Sequence, residues 1–395
     1  MSNIKLSQRT QRIKESPTMA ITAAAAALRA AGKDVIGLGA GEPDFHSPQI
    51  AKDAGIQAIH DNHTLYTQVD GIPPLKQAII DKLARDNQLD YDNKQVMVSV
   101  GAKQALFNLC LALLEKGDEA IIPAPYWVSY LDMVELAGAS PVCISAGKDA
   151  DFKISPAMLK QSLNENTRMM FINSPSNPTG KIYTAEELKA LGEVLLEFPQ
   201  VVIVSDEIYE HILWNGKFCN ILNVCPQLKD RTIVINGVSK CYAMTGWRIG
   251  YAAGPTQIIK EMKKIQSQST SGASSIAQYA ALAALKSDNS EIPAMVTEFK
   301  KRHDYMAEGL AAIDGIEVVP ADGTFYLFPW IGGLIERTDG IDNDLALCSY
   351  ILDKAEVAVV PGSAFGAEGY MRLSYATSMD NIQQAVSRIT KLFSS

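Results

Sequence analysis

The stretch Asn236-Gly-Val-Ser-Lys240-Cys-Tyr-Ala-Met-Thr-Gly-Trp-Arg248-Ile-Gly-Tyr-Ala-Ala-Gly254 decides how the rest of the chain is read. It continues the β-branched run Thr232-Ile-Val-Ile235, which reads as a buried strand. Lys240 therefore falls just past a strand end, where open α/β sheets hold their ligands. Gly237, Ser239, Ala243 and Gly246 keep the neighbourhood small enough for a flat ligand to lie against backbone. Arg248 sits two helical turns or one hairpin further on and supplies a second cation. A lysine held among apolar groups beside another cation loses proton affinity and becomes a nucleophile. With an anion-binding arginine next to it, this suggests a Schiff base to a phosphorylated aldehyde. The plainer reading, a surface loop with two ordinary basic residues, stands beside it at this point.

Outward from there the pattern alternates. N-terminal to the stretch, helix 75–86 leads to strand Val96–Val100, and Gly101-Ala-Lys-Gln104 opens helix 103–115. Strand Glu119–Ile122 precedes helix 126–137. Strand Pro141–Ser145 precedes a helix begun by Ser155-Pro156. Strand Met169–Ile172 ends in Asn173-Ser-Pro-Ser-Asn177-Pro-Thr-Gly180. Helix 184–197 leads to strand Val201–Val204 and Ser205-Asp206-Glu-Ile-Tyr209. Alternating strands and helices predict an α/β fold with a mostly parallel sheet covered by helices on both faces. Near residue 290 the character changes. A charged helix at 293–313 precedes short strands at 317–319, 324–328, 357–360 and 370–374 and helices at 343–353 and 379–393. These make a smaller α+β domain, joined by the N-terminal helix 18–31. The expected division is an N-terminal arm and helix (1–50), a large domain (51–290) and a C-terminal small domain (291–395). Gly39-Ala-Gly41-Glu-Pro-Asp-Phe45 mimics a dinucleotide fingerprint, but Pro43 comes too soon for the helix that motif must launch.

Composition bounds the function. The 395 residues exceed one small core, and 47% hydrophobic with 20% charged residues describe an ordinary soluble protein. A net charge of −8 disfavours nucleic acid as the main partner. Six scattered cysteines without a Cys-x-x-Cys pair predict free thiols in a reducing compartment, hence a cytoplasmic protein. No apolar run reaches the ~20 residues of a membrane helix. The basic residues that precede Glu15 leave a transit peptide open. Histidines 46, 60, 63, 211 and 303 form no ligand spacing, so no metal is expected.

Several special residues fall on one edge of such a sheet. Asp206 follows a β-branched strand, either as a helix cap or as a buried anion awaiting a cation, such as a protonated ring nitrogen. Tyr209 points to the same side. Asn177 either shapes its turn or donates to a ligand oxygen. Trp127 is a core aromatic or a ring stacked on a flat ligand. The Gly101-Ala102 amides open a helix and can hold phosphate. Arg372, in an alternating strand, suits bidentate capture of a carboxylate, against the alternative of a surface salt bridge.

Taken in order, these motifs resemble the fold-type I pyridoxal-phosphate aminotransferases of class I/II. Gly71-Ile-Pro, Gly101-Ala-Lys-Gln-Ala105, Pro125-Tyr-Trp-Val-Ser-Tyr130 and Arg372-Leu-Ser-Tyr-Ala376 are part of the match, which covers nearly the whole chain. The chain is most similar to the bacterial aspartate aminotransferase branch that also contains prephenate aminotransferases. The resemblance implies that Lys240 joins pyridoxal 5′-phosphate as a Schiff base and then moves the substrate's Cα proton. Asp206 would pair with the ring nitrogen, and Tyr209 and Asn177 with the phenolic oxygen. Arg248, Ser239 and the Ala102-Lys103 amides would hold the phosphate, with Tyr66 reaching it from the other subunit of a homodimer. Trp127 would stack on the ring, and Arg372 and the Gly41 amide would take the substrate α-carboxylate. Lys103, with Ser16 and Thr18, would meet a distal carboxylate. Gly237 departs from the hydroxyl residue common three positions before the lysine, which removes one phosphate contact. The implied reaction is L-aspartate plus 2-oxoglutarate giving oxaloacetate plus L-glutamate, with ping-pong kinetics. Prephenate transamination is the alternative, and a lyase or synthase on the same fold a further one.

Overall fold

The computed structural model describes residues 4–13 and 17–394. A short strand β1 (Ile36–Gly37) precedes a seven-stranded sheet of β2 (Val96–Val100), β3 (Glu119–Ala124), β4 (Ser140–Ser145), β5 (Thr167–Asn173), β6 (Val202–Asp206), β7 (Thr232–Gly237) and β8 (Ile249–Ala253). The spatial order is β2-β8-β7-β6-β5-β3-β4, and only β8 runs against its neighbours. Both faces of the inner strands are apolar, and successive residues serve different cores, whereas the edge strand β4 is largely exposed. Val98, Ile121, Met170, Ile203 and Val234 pack into one cluster. Met97, Ile122, Phe171, Val204 and Ile235 pack into the other. A strand buried on both sides cannot show polar alternation, which is why these segments read as continuous apolar runs.

Three further strands, β9 (Tyr326–Leu327), β10 (Val357–Ala358) and β11 (Val360–Pro361), precede β12 (Met371–Ser374). β12 lies between β11 and β9 in a small antiparallel sheet. β10 pairs in parallel with β1, so the N-terminal segment is stitched to the C-terminal one. A separate core joins Ile36 and Leu38 to Phe299, Phe325, Leu347 and Ile389.

The expected elements form, with shifted ends. Ser155 caps the helix Pro156–Ser162, and Thr184 with Glu187 closes a capping box on Ala185–Leu196. The helix expected at 103 begins at Gly101, and the one expected at 126 begins at Ser129, because Tyr126 donates its backbone N–H to Phe365 O at 3.0 Å. The strand expected at 317–319 is a single bridge between Glu317 and Trp330. The strand expected at 357–360 divides between two sheets. Residues after Asp206 form a turn rather than a helix, so helix capping is not its role. β12, expected to alternate, is buried at all four positions. The helices Gln49–His60, Thr256–Ser269 and Ser275–Lys286 were not expected from the pattern.

Candidate active site

The parallel strands bring their carboxyl ends to one edge. β2 delivers Gly101, Ala102 and Lys103, β3 delivers Trp127, and β5 delivers Asn177. β6 delivers Asp206 and Tyr209, and β7 delivers Ser239 and Lys240. The antiparallel β8 begins where these end, so Arg248, one residue before it, joins the same edge. The hairpin reading of the Lys240–Arg248 stretch is the one realised. The 39–45 loop and β12 then close over this edge.

Lys240 Nζ donates to the carbonyl of Gly41. Burial lowers its pKa from 10.5 to about 8; Glu42 and Asp206 pull upward, Arg372 and Arg248 downward. Its ammonium lies 5.8 Å from the rings of both Tyr209 and Phe325. Asp206 is 4% exposed. It accepts from the Tyr130 hydroxyl at 2.6 Å and from the Ile208 backbone N–H at 3.3 Å. Among the described residues it makes no ion pair. Burial raises its pKa to about 6 despite those donors and the nearby Lys240.

Arg372 is buried on β12. Its Nη1 donates to Asn177 Oδ1 and its Nη2 to Gly39 O, both at 2.9 Å. Its guanidinium lies 4.4 Å from the Tyr326 ring and 4.8 Å from the Phe365 ring. Among the described residues its Nε is buried without a partner. A guanidinium so held still has donors to give to a carboxylate. Tyr209 and Tyr326 face each other with hydroxyls 3.1 Å apart.

The anion-binding corner rests on two glycines. Gly101 has φ +76°, and a Cβ there would stand 2.4 Å from Arg248 Nη2. At Gly250 a Cβ would stand 2.1 Å from the Ala102 backbone nitrogen. The guanidinium therefore lies against the N-terminus of the helix Gly101–Leu113, a cradle for phosphate oxygens. Ser239, after β7, is buried. A cavity of about 750 Å³ lined by Phe45, Val100, Thr245, Trp247 and Arg248 adjoins this corner. Lys103 Nζ lies 4.8 Å from the Trp127 ring. Burial and Arg248 lower its pKa while Asp132 raises it.

Most of the expected residues are thus brought together. Tyr66 is 98% exposed in the single chain. Ser16 lies outside the described residues, and Thr18 belongs to the helix Pro17–Ala30. Tyr130 and Glu42 fall within the motifs quoted above but carry no assigned role there. Tyr130 stands three residues after Trp127, and the two rings meet edge-on at 5.4 Å. Tyr326 carries no motif, and only the fold brings it to Tyr209.

The donor set fits a phosphorylated pyridine aldehyde. A buried carboxylate without a cation suits a protonated ring nitrogen, a lysine near neutral pKa suits the aldehyde, and the glycine cradle suits the phosphate. Residues 33–389 match the family described as aminotransferase class I and II. An aspartate/prephenate aminotransferase of Nitrosomonas europaea is 55% identical, covering 99% of this chain and all of its own. An aspartate aminotransferase of Geobacillus stearothermophilus is 51% identical, covering 98% of each chain. The crystal structure of the aspartate aminotransferase from Rhizobium meliloti superposes with a TM-score of 0.96 at 43% identity over 98% of each chain. That of the Thermus thermophilus aspartate aminotransferase with maleate gives 0.93 at 39% identity, over 98% of this chain and all of its own. The chain belongs to the class I and II aminotransferases, and is a pyridoxal-phosphate-dependent transaminase.

Proposed function

We propose that the protein transfers the amino group of L-aspartate to 2-oxoglutarate, giving oxaloacetate and L-glutamate by ping-pong kinetics. The observation that carries this reading is the pairing, on one sheet edge, of a lysine of lowered pKa with a buried carboxylate that makes no ion pair among the described residues. Pyridoxal phosphate, when bound, supplies the electrophilic carbon and the electron sink. Asp206 holds the ring nitrogen protonated, because a cation placed against a buried carboxylate keeps its proton while the carboxylate keeps its charge. Tyr209 and Asn177 donate to the phenolic oxygen. Arg248, Ser239 and the Ala102 and Lys103 amides hold the phosphate, and Trp127 covers the ring. Arg372, with its free Nε, and the Gly41 amide take the α-carboxylate and fix the Cα–H bond toward Lys240. The Lys240 amine, uncharged in a useful fraction near neutral pH, would take that proton and, as its conjugate acid, would return it to the former aldehyde carbon, across the nitrogen from Cα. The second keto acid uses the same groups in reverse.

Lys103 supports a preference for dicarboxylates, helped by Ser16 and Thr18, and the Thermus relative holds the dicarboxylate maleate. Prephenate also carries a distal carboxylate, and the Nitrosomonas relative bears both names, so prephenate is the second reading. Oxaloacetate and prephenate offered separately as acceptors, with glutamate as donor, decide between them. A strong preference for prephenate overturns the aspartate assignment.

The same reading takes the active form as a homodimer in which Tyr66 reaches the neighbouring phosphate. Its full exposure in the single chain supports this. We also infer residues 51–290 as the large domain, with 1–50 and 291–395 forming the arm and small domain; the pairing of β1 with β10 supports that division. No helix among the described residues is long and apolar enough to cross a membrane. Six free cysteines support a cytoplasmic setting.

A further inference from the structure

We propose that Tyr326 is a positioning residue with two separable arms: its hydroxyl fixes Tyr209 as a donor toward the cofactor's phenolic oxygen, and its ring holds the Arg372 guanidinium in place for the substrate carboxylate. The inference deepens the function proposed above and rests on it.

The first arm follows from counting hydrogens. The two phenol oxygens lie 3.1 Å apart in a buried contact, so one hydrogen lies between them. If Tyr209 sends its own hydrogen to a ligand oxygen, the one on the shared line must come from Tyr326. A donor that itself accepts a hydrogen bond is polarised and donates more strongly. The Tyr326 hydroxyl cannot easily turn away. It lies 3.4 Å from where a Cβ on Gly41 would stand, so the 39–45 loop packs against it. Charged groups face the pair from four elements: Asp206 at the end of β6, Lys240 after β7, Arg372 on β12 and Glu42 in that loop. The second arm follows from the sandwich of Arg372 between the rings of Tyr326 and Phe365 at 4.4 and 4.8 Å. Two ring faces fix the plane of the guanidinium, and its two polar contacts, to Asn177 and Gly39, fix its rotation. One side chain thereby links the group that meets the cofactor with the group that meets the substrate.

The test separates the arms on the cofactor-loaded enzyme. Tyr326→Phe removes only the hydroxyl. The phenolic oxygen then loses support in the state where it carries its full charge, so the nitrogen beside it holds its proton to higher pH. The pH midpoint of the visible absorption band should rise by about half a unit or more, while the succinate dissociation constant stays within about twofold of wild type. In a Tyr209→Phe background the same substitution should add no further shift. Tyr326→Leu removes the ring, and succinate should bind about fivefold more weakly or worse. An unmoved midpoint in Tyr326→Phe, or a shift that persists without the Tyr209 hydroxyl, overturns the hydroxyl arm. Wild-type succinate affinity in Tyr326→Leu overturns the ring arm. If Tyr326→Leu does not fold, Phe365→Leu tests the other half of the sandwich with the same expected loss. A wild-type enzyme with no titrating visible band would overturn the functional reading itself, whereas a normal wild-type band with unresponsive variants overturns this proposal alone.

Discussion

At the scale of single residues, Lys240 and Asp206 define each other's chemistry. Burial and two arginines bring the amine to about 8, so its reactivity appears as pH rises through that value rather than through 10.5. In the cofactor-free protein, an amine-directed acylating reagent should therefore modify Lys240 half-maximally near pH 8, ahead of the surface lysines. A profile like that of an ordinary lysine contradicts the assigned environment. Lys240→Ala should lower turnover by about 10⁴-fold or more, since in the proposed reaction it removes the general base and the attacking amine together. Asp206→Ala should lower kcat/KM by about 100-fold or more, with the cofactor still bound through its phosphate. Both residues were legible in the sequence because each follows a β-branched run, and position at a strand end is a property of the pattern. The contacts of Tyr130 and Tyr326 were not, because their partners lie 76 and 117 residues away along the chain. A phenol that matters through its neighbour leaves no local trace.

At the scale of elements, a buried polar knot sets the spacing of the two turns that carry these groups. Glu210, next to Tyr209, accepts from Lys82 and Asn87 at the end of the helix Pro73–Asn87 and from Asn236 at the end of β7. Lys82 and Glu210 are almost wholly shielded from water. A buried pair is costly to break from one side, because the remaining charge is stranded. Glu210→Ala should destabilise the protein by about 3–5 kcal/mol in chemical denaturation. A loss below about 1 kcal/mol would mean that Lys82 finds water or another partner. The glycine cradle makes a second prediction at this scale. Gly250→Ala would press a methyl group into the Ala102 amide and should weaken cofactor retention, measured by dialysis and the remaining visible absorbance. The large sheet was readable because strands buried on both faces are apolar throughout. The helices Gln49–His60 and Thr256–Ser269 escaped because their polar faces break the apolar pattern that marks the sheet-covering segments. Element ends moved where tertiary contacts claimed the backbone, as at Tyr126.

At the scale of the molecule, the site is assembled from both ends of the chain. The 39–45 loop, held by the contact of Arg302 with Asp44 at 2.7 Å, brings Gly41 to Lys240, and β12 brings Arg372 to Asn177. If Tyr66 also crosses between subunits, Lys240→Ala and Tyr66→Ala variants mixed under subunit exchange should regain about a quarter of wild-type activity, from the one intact site of each hybrid dimer. No recovery on mixing would place Tyr66 in its own subunit's site or outside it. The central claim, a cofactor joined to one amine over one carboxylate, has a more direct test. The loaded enzyme is reduced with borohydride, digested, and its peptides mapped by mass spectrometry. A single pyridoxyl-modified peptide is expected, carrying the group on Lys240. A modification on any other lysine, or none at all, would contradict it.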